Sequence, residues 1–504
     1  MTRLGSIRGR ITKNNHILPA MAFLVPFAIR LIPEILVGPY IMGFDTMGFY
    51  VPNTLAWLNE GIDLWGLLAV APLFYTILMA IAAAGVPLIV ALKVIPPLLL
   101  GVLGSSIYLY AHKGLGWSFI KSLAPALLGT IYFVALRVSW DMLRSELGLI
   151  FLFIVLTILA QIKNKSWRHY FLLTFAMFAV ALSHQLAATI MLWIIFLKIV
   201  YTLYQKDVYK SLYLVVSSLP AATFFFFINF LSYTPALLVE YQNTTGSPLA
   251  NWLGFSSYFV MLASEAGFFF YCFLPLIPLL LLSIKRFGTL QLRSWLLLIF
   301  ILLLIPFSFV SPFRWLLLLI YPLSFYVTEA LSKLSSHKPK HIRFSMQRIA
   351  VLYLILSTGI LSFGFIFFPP ETPFAYFNPE YLNYYQYQIP SSMQQNTISI
   401  KDFQATENAL QWFKENENST AIILTHVVFY SWALQTLNAD QIRNYGFDDP
   451  LKSAGLARQE GHTQIFLIWW ISGKGWYAQS TLPSAFQEVY HDGNIAIYHF
   501  NATA

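Results

Sequence analysis

The stretch Met42-Gly43-Phe44-Asp45-Thr46-Met47-Gly48-Phe49-Tyr50 places one carboxylate between two glycines and several aromatic residues. It directly follows the first long apolar run of the chain, residues 17–38. A run of this length is expected to cross a membrane, because a crossing helix needs about 20 apolar residues. Asp45 is therefore predicted to lie at a membrane surface, on the side away from the N-terminus.

The composition of the whole chain is that of a membrane protein. Of its 504 residues, 58% are apolar and only 11% are charged, whereas about 25% charged residues are usual in soluble domains. Residues 1–368 hold 25 Lys and Arg against 10 Asp and Glu, and residues 369–504 hold 6 against 12. The positive charge thus belongs to the apolar part, where cytoplasmic loops carry it, which argues against a nucleic-acid partner.

Apolar runs predict about eleven membrane crossings. They lie near residues 17–38, 86–110, 117–136, 146–162, 169–183, 186–204, 211–231, 266–284, 294–310, 313–332 and 348–368. Eleven crossings place 19 Lys and Arg in the inner segments and only Arg137, Arg144 and Arg314 in the outer loops. If residues 64–84 also crossed, 7 would lie inside and 15 outside. The positive-inside rule favours eleven, so 64–84 is predicted to be a re-entrant or interface-lying segment on the outer face.

The sequence divides into two predicted domains. Residues 1–368 form a transmembrane α-helical module with a cytoplasmic N-terminus, and its outer loop 39–85 carries Asp45. Residues 369–504 are predicted to form a small extracytoplasmic α/β domain that follows a tyrosine-rich linker. Its elements are predicted from apolar periodicity and turn residues. They are a helix over 402–417, strands over 421–425 and 464–470, and a strand pair over 488–491 and 495–500.

The three outer arginines suggest a phosphate site. Arg137, Asp141 and Arg144 are spaced i, i+4, i+7 and would share one face of a helix. A guanidinium group binds phosphate through two donors and stays charged. Arg137, Arg144 and Arg314 are therefore candidates to hold a phosphate at the membrane surface. The alternative is that each of them lies along the interface or pairs with an acid.

Asp45, Lys93 and His184 are further candidates for functional residues. Asp45 is either a functional carboxylate or a helix cap in a loop. Lys93 interrupts an apolar run, and a charge inside a membrane segment is a functional candidate. His184 stands between two crossings, where it either caps a turn or contacts phosphate or sugar. Eight of the ten acids in residues 1–368, Glu265 among them, fall on the predicted outer side.

The sequence lacks the motifs of several common enzyme classes. There is no G-x-x-x-x-G-K-[ST] motif for ATP, no H-E-x-x-H zinc motif and no G-x-S-x-G serine motif. No internal repeat is visible, which counts against a transporter built from two halves.

These features together resemble the GT-C superfamily of membrane glycosyltransferases, such as protein O-mannosyltransferases, aminoarabinose transferases and the catalytic oligosaccharyltransferase subunit. The stretch 43–50 resembles the acidic motif of the first outer loop. The stretch Arg137-Val138-Ser139-Trp140-Asp141-Met142-Leu143-Arg144 resembles the motif of the second. The order of an outer aspartate, a non-crossing apolar segment, a basic residue in the next span and an outer C-terminal domain is also similar.

One motif departs from the family. Trp469-Trp470-Ile471-Ser472-Gly473 is superficially similar to the W-W-D-x-G signature of oligosaccharyltransferase, but Ile471 stands where the signature has aspartate. The pair of tryptophans also ends a predicted strand. En bloc transfer to asparagine is therefore not expected.

The resemblance implies a function. The donor would be a sugar linked to polyprenyl phosphate, and Asp45 would be the base that activates an acceptor hydroxyl, with inversion at the sugar carbon. Donor-phosphate binding would fall to Arg137, Arg144, Arg314, Lys93 and His184, with Asp141 and Glu265 as supporting acids. Some relatives use a divalent metal, so a Mg or Mn ion bridging Asp45 and Asp141 stays open.

Two other functions remain open as well. The chain could move a lipid-linked sugar across the membrane as a transporter or flippase, or it could be a non-catalytic membrane assembly subunit. The acceptor, whether protein, lipid or glycan, is not specified by the sequence.

Overall fold

The structure is a computed structural model that describes most of the chain. The described residues are 17–162, 167–231, 258–285, 287–304, 312–336, 346–367, 396–446, 448–471 and 482–501. The linker predicted from residue 369, up to residue 395, and most of the predicted outer loop 232–265 lie outside them.

Seventeen helices precede the C-terminal domain in the described residues. They are α1 (Ile17–Leu36), α2 (Val51–Asn59), α3 (Leu64–Ala69), α4 (Leu73–Ala83), α5 (Leu88–Leu109), α6 (Phe119–Ile131), α7 (Phe133–Asp141), α8 (Leu143–Gln161), α9 (Trp167–Ser183), α10 (Gln185–Tyr204), α11 (Val208–Phe226), α12 (Tyr258–Phe273), α13 (Ile277–Ser283), α14 (Leu290–Leu304), α15 (Pro312–Leu317), α16 (Ile320–Ser336) and α17 (Met346–Phe367).

The chain is an integral membrane protein. Among the described helices, seven are long and apolar enough to cross a membrane by themselves. Two bent pairs, α6 with α7 and α12 with α13, raise the number to nine if each is one span. The other two predicted crossings coincide with α9 and α14, which have 17 and 15 residues. A helix thus lies at each of the eleven predicted positions, and nine of them satisfy the length criterion.

The apolar segment 64–84, which is predicted not to cross the membrane, forms two short helices. They are α3 with 6 residues and α4 with 11. At 1.5 Å per residue, α4 is only about 16 Å long, against the roughly 30 Å of a bilayer core. Ala71, between them, has a φ of 57°, so the backbone turns sharply there.

The described part of the chain belongs to two compact units. The first comprises Met1–Ile35, Asp63–Ala80 and Lys93–Met393, and the second comprises Leu36–Ile62, Ile81–Leu92 and Gln394–Ala504. The loop that carries Asp45 therefore packs with the C-terminal domain. The domain boundary predicted after residue 368 would instead include this loop in the membrane module.

Within the first unit, α1 and α5 touch closely. A Cβ on Gly104 of α5 would lie 2.2 Å from the carbonyl oxygen of Ala22 on α1. Only glycine permits this approach, because any side chain would collide with the backbone. The same packing of α1 against α5 brings Lys93 beside Glu34.

The second unit contains one five-stranded sheet. Its strands are β1 (Ile422–His426), β2 (Ile442–Gly446), β3 (Ile465–Trp470), β4 (Phe486–Asp492) and β5 (Ile495–Phe500), and its helices are α18 (Phe403–Asn416), α19 (Val427–Thr436) and α20 (Pro450–Gln459). The strand order is β2-β1-β3-β5-β4. The first three strands are parallel, and β5 pairs antiparallel with β3 and β4. The predicted helix and strands are confirmed, and the sequence missed β2.

Candidate active site

Asp45 lies in a closed helical turn of the second unit. The amide of Met47 donates to the carbonyl of Gly43 at 3.1 Å, so the carboxylate stands in the middle of one turn. Gly43 has a φ of 97°, a left-handed conformation that favours glycine. Asp45 is 8% exposed. The π-helical turn Thr46–Tyr50 then leads into α2.

Both ends of this turn are bonded to the C-terminal domain. The Gly43 amide donates to Asn396 Oδ1 at 2.8 Å. The Ser431 hydroxyl on α19 donates to the Met47 carbonyl. Just before the turn, Tyr40 donates its hydroxyl towards Gln404 Oε1 at 2.7 Å and Glu407 Oε2 at 2.8 Å. Sequence inspection found the turn but had no signal for these partners.

Arg137 and Asp141 form a buried ion pair on α7. Arg137 donates to Asp141 at i, i+4 spacing, and their side chains are 2% and 1% exposed. The helix ends at Asp141, and Met142 has non-helical dihedral angles before α8 begins. The expectation that Arg137, Asp141 and Arg144 share a helix face is therefore wrong for Arg144, because the backbone breaks between them.

Arg144 belongs to a second basic group, with His184 and Arg314. Its guanidinium lies 5.5 Å from the centre of the Tyr75 ring on α4, so the segment 64–84 supplies a wall of this group. Arg144 Nε is buried and has no hydrogen-bond partner, and the described residues offer Arg144 no salt bridge. Arg314, on α15, is half-buried.

His184 lies between α9 and α10 as a neutral hydrogen-bonding group. Burial, followed by the charges of Arg144 and Arg314, lowers the pKa of its imidazole well below the usual value. Its Nδ1 accepts from the Leu186 amide at 3.1 Å, so the neutral ring carries its proton on Nε2. It therefore caps a helix, as one reading of the sequence predicts, and is still a donor beside two arginines.

Lys93 is paired through Glu34. Lys93 Nζ lies 3.8 Å from Glu34 Oε2, and the other oxygen, Oε1, lies 2.7 Å from Arg30 Nη1. Arg30 and Glu34 are four residues apart on α1, the spacing at which a helix brings two side chains together. Arg30 Nε also donates to the Ser139 carbonyl at 3.1 Å. Glu34 thus connects Lys93 to the end of the helix that carries Arg137.

Comparison with known proteins gives a likeness in structure and none in sequence. No family model and no curated protein matches the chain. Among solved structures, ArnT from Cupriavidus metallidurans in the apo state matches with a TM-score of 0.50 and 13% identity, over 99% of both chains. The same ArnT bound to undecaprenyl phosphate matches with a TM-score of 0.49 and 12% identity, over 96% of this chain and 99% of that one. ArnT is a GT-C aminoarabinose transferase.

The chain shares the fold of ArnT. The architecture expected from the resemblance is therefore confirmed, from the apolar helices to the C-terminal sheet. The tryptophan pair that departs from the oligosaccharyltransferase signature ends β3, as expected. Ile471 follows it, and the last two residues of that stretch lie outside the described residues.

Two further buried acids lie on the helices of the first unit. Glu265 on α12 and Glu146 on α8 are 4% and 0% exposed. Among the described residues, neither oxygen of either carboxylate meets the geometric criteria for a hydrogen bond. Glu265 was a supporting-acid candidate, whereas Glu146 was not singled out. Its position as the first residue of the predicted crossing 146–162 was the signal, since an acid in a membrane helix is a functional candidate.

A metal bridging Asp45 and Asp141 finds little support in the donor set. Asp141 already accepts from Arg137, which neutralises the charge that would bind a cation. Within the described ranges, no three His, Cys, Asp or Glu residues come together. Asp45 belongs to the second unit, and Arg137, Asp141, Arg144, Arg314, Lys93, His184 and Glu265 belong to the first.

Proposed function

We propose that the chain is an inverting glycosyltransferase that moves a sugar from a polyprenyl-phosphate donor to an acceptor hydroxyl. The reaction takes place at the outer membrane face. The observation that carries the proposal is the group of Arg144, His184 and Arg314, which offers two guanidinium groups and an imidazole N–H in a GT-C fold.

This group suits a phosphate that leaves without being protonated. Guanidinium donors match the oxygens of a phosphate and stabilise the charge that develops as the bond to the sugar breaks. A neutral His184 adds a donor and no charge. Arg144 is the strongest member, because part of its guanidinium has no partner in the described protein.

The proposed step needs one base. The acceptor hydroxyl oxygen attacks the anomeric carbon, the bond from that carbon to the phosphate oxygen breaks, and polyprenyl phosphate leaves with the electron pair. The proton of the hydroxyl passes to the carboxylate of Asp45. Attack from the face opposite the phosphate inverts the anomeric configuration.

ArnT supports the lipid part of the proposal. The fold is shared with ArnT, and ArnT is a protein that binds undecaprenyl phosphate. A polyprenyl phosphate also suits a chain whose basic group is built on apolar helices.

The proposed orientation of the chain in the membrane follows from the distribution of its Lys and Arg residues. Lys and Arg are concentrated in the segments predicted to be inside, which puts the N-terminus in the cytoplasm and the C-terminal domain outside. A divalent metal, Mg or Mn, stays a separate prediction, and the step above does not depend on it. Activity that survives chelation with EDTA would refute it.

The test uses the purified full-length chain and undecaprenyl phosphate linked to mannose, glucose or aminoarabinose. Release of undecaprenyl phosphate is followed by mass spectrometry with a membrane extract as the acceptor pool. Asp45→Asn should lower turnover by about 10²- to 10⁴-fold, the usual contribution of a general base, while donor binding is kept. Glu60→Gln, an exposed acid in the same loop, is the matched control and should stay active.

The alternative functions give different results. Near-normal turnover in Asp45→Asn would refute the role of Asp45 as the base. A protein that consumes no donor but moves the labelled lipid across vesicles is a transporter. Binding without turnover or movement indicates an assembly subunit.

A further inference from the structure

The Asp45 turn is held at both of its ends by side chains of the C-terminal domain. Within the turn, the Met47 amide bonds to the Gly43 carbonyl at 3.1 Å. This leaves the Gly43 amide and the Met47 carbonyl pointing outward along the turn. The first donates to Asn396 at 2.8 Å and the second accepts from Ser431.

Asn396 and Ser431 are well placed to be rigid supports. Both are buried, at 7% and 1% exposure. Ser431 lies on α19, whose Trp432 donates its indole N–H to the Thr397 hydroxyl at 3.1 Å. Asn396 and Thr397 are adjacent, so the two supports are joined to each other through one further hydrogen bond.

Tyr40 attaches the preceding segment to the same domain. Its ring packs 5.6 Å from Phe403 and 5.9 Å from Trp432. Burial, then the hydrogen bond and the charge of Glu407, raise the pKa of Tyr40 to about 12. The hydroxyl thus keeps its proton at neutral pH and remains a donor to Glu407.

We propose that Asn396 and Ser431 are positioning residues that hold Asp45 in its reactive orientation. The inference rests on the proposed role of Asp45 as base. It makes the C-terminal domain part of the catalytic apparatus, because these two side chains come from that domain and act through the backbone of the turn. Neither side chain contacts substrate in this scheme.

The physical reason is the sensitivity of proton transfer to distance. A base must stand within hydrogen-bond reach of the hydroxyl, and a displacement of about 1 Å can cost about 10²-fold in rate. Asp45 lies in the first turn of the helical segment 44–59, and the first amides of a helix have no partner within the helix, so this turn needs outside support. Bonds at both ends supply the missing order.

The experiment compares Asn396→Ala and Ser431→Ala with conservative and control variants. Asn396→Asp keeps an oxygen acceptor for the Gly43 amide, and Ser431→Thr keeps a hydroxyl. Asn408→Ala is the control, because Asn408 bonds to Asp492 in the same domain at 2.6 Å. The Ala variants should lower kcat by about 10- to 100-fold with little change in KM for the donor. The conservative variants and the control should stay near normal.

A second measurement keeps the inference separate from the proposed function. Hydrogen exchange at the Gly43 amide should speed up in Asn396→Ala even if Asp45 proves not to be the base. Faster exchange together with an active Asp45→Asn variant would refute the proposed function alone. Unchanged exchange, or kcat unchanged in both Ala variants while Asp45 remains essential, would overturn the positioning role. A fall in kcat that the conservative variants do not rescue would also overturn it.

Discussion

The guanidinium of Arg144 lies 5.5 Å from the centre of the Tyr75 ring, while its Nε has no hydrogen-bond partner among the described residues. The aromatic face orients the cation by the attraction between a charge and a π system. This attraction does not use Nε as a hydrogen-bond donor, so that N–H is available to a ligand.

The first prediction follows from that arrangement. Arg144→Lys keeps the charge but loses the planar fork that binds phosphate with two donors. Binding of undecaprenyl phosphate to the purified protein, measured by thermophoresis, should weaken by about 10-fold, which corresponds to about 1.4 kcal/mol. Arg144→Ala should weaken it further.

Arg168 provides the matched control. It is exposed at the start of α9, in a segment predicted to lie on the inner side. Arg168→Lys and Arg168→Ala should leave binding unchanged. Equal losses from both arginines would mean that only net charge matters, and the site would have to be sought elsewhere.

The second prediction concerns the pair of Arg137 and Asp141. Arg137→Leu leaves a buried carboxylate without its partner and should destabilise the protein by about 3–5 kcal/mol. The double variant Arg137→Leu with Asp141→Leu should recover most of that loss, because two apolar side chains need no compensation. Thermal unfolding in detergent measures both effects.

The same pair of variants decides whether Arg137 holds phosphate. A folded double variant that binds undecaprenyl phosphate normally would make Arg137 a structural residue. A folded double variant that has lost binding would make Arg137 a phosphate-binding residue.

The third prediction separates the two glycines of the Asp45 stretch. Gly43 has a φ of 97°, so Gly43→Ala forces a side chain into a left-handed backbone and should cost about 1 kcal/mol or more. A Cβ at Gly48 would meet only ordinary contacts, the nearest at 3.9 Å from Phe44. Gly48→Ala should therefore keep turnover, whereas Gly43→Ala should lower it. Equal turnover in both variants would contradict the claim that the left-handed backbone at position 43 requires glycine.

The sequence predicts those features of the site that involve residues close together in the chain, and it does not predict contacts between distant residues. The Asp45 turn and the pair of Arg137 and Asp141 are local, and their spacing alone shows them. The contact of Gly43 with Asn396 joins residues 353 positions apart, and no periodicity encodes it. Charge counting predicts that the segment 64–84 does not cross the membrane, because the positive-inside rule sums over many residues; the segment forms two short helices, and its place in the membrane stays a prediction.

Two failures have physical reasons. The helix break at Met142 removed Arg144 from the face of Arg137, and nothing in the residues Trp140 to Leu143 signals a break, since they include no glycine or proline. Strand β2 was missed because Ile442–Gly446 carries polar residues on an edge position of the sheet. An edge strand that is only half-buried shows a weak apolar pattern.

The fourth prediction is a pH dependence of the second unit. Burial lowers the pKa of His426 from 6.5 to about 4. Below pH 6.5 the unfolded imidazole binds a proton that the folded one does not, so stability falls as the pH drops from about 6.5 to 4, by at most about 3 kcal/mol. His426 also caps α19 through the Val428 amide.

His426→Asn tests this, because asparagine is a good helix cap that does not titrate. The midpoint of thermal unfolding, followed by tryptophan fluorescence, should fall between pH 6.5 and 4 in the natural protein. The fall should be smaller in His426→Asn. An equal fall in both would assign the acid sensitivity to the carboxylates instead.

The fifth prediction tests the orientation. The natural chain has one cysteine, Cys272, which is buried, so Cys272→Ser gives a background for single cysteines at exposed positions. Glu415→Cys, on α18, should react with a membrane-impermeant maleimide in intact cells. Lys206→Cys, between α10 and α11, should react only after the membrane is opened, because the excess of Lys and Arg places that loop inside. The reverse labelling would put the C-terminal domain in the cytoplasm, and with it the turn that Asn396 and Ser431 hold. A lipid-linked donor presented at the outer face would then be out of reach of Asp45.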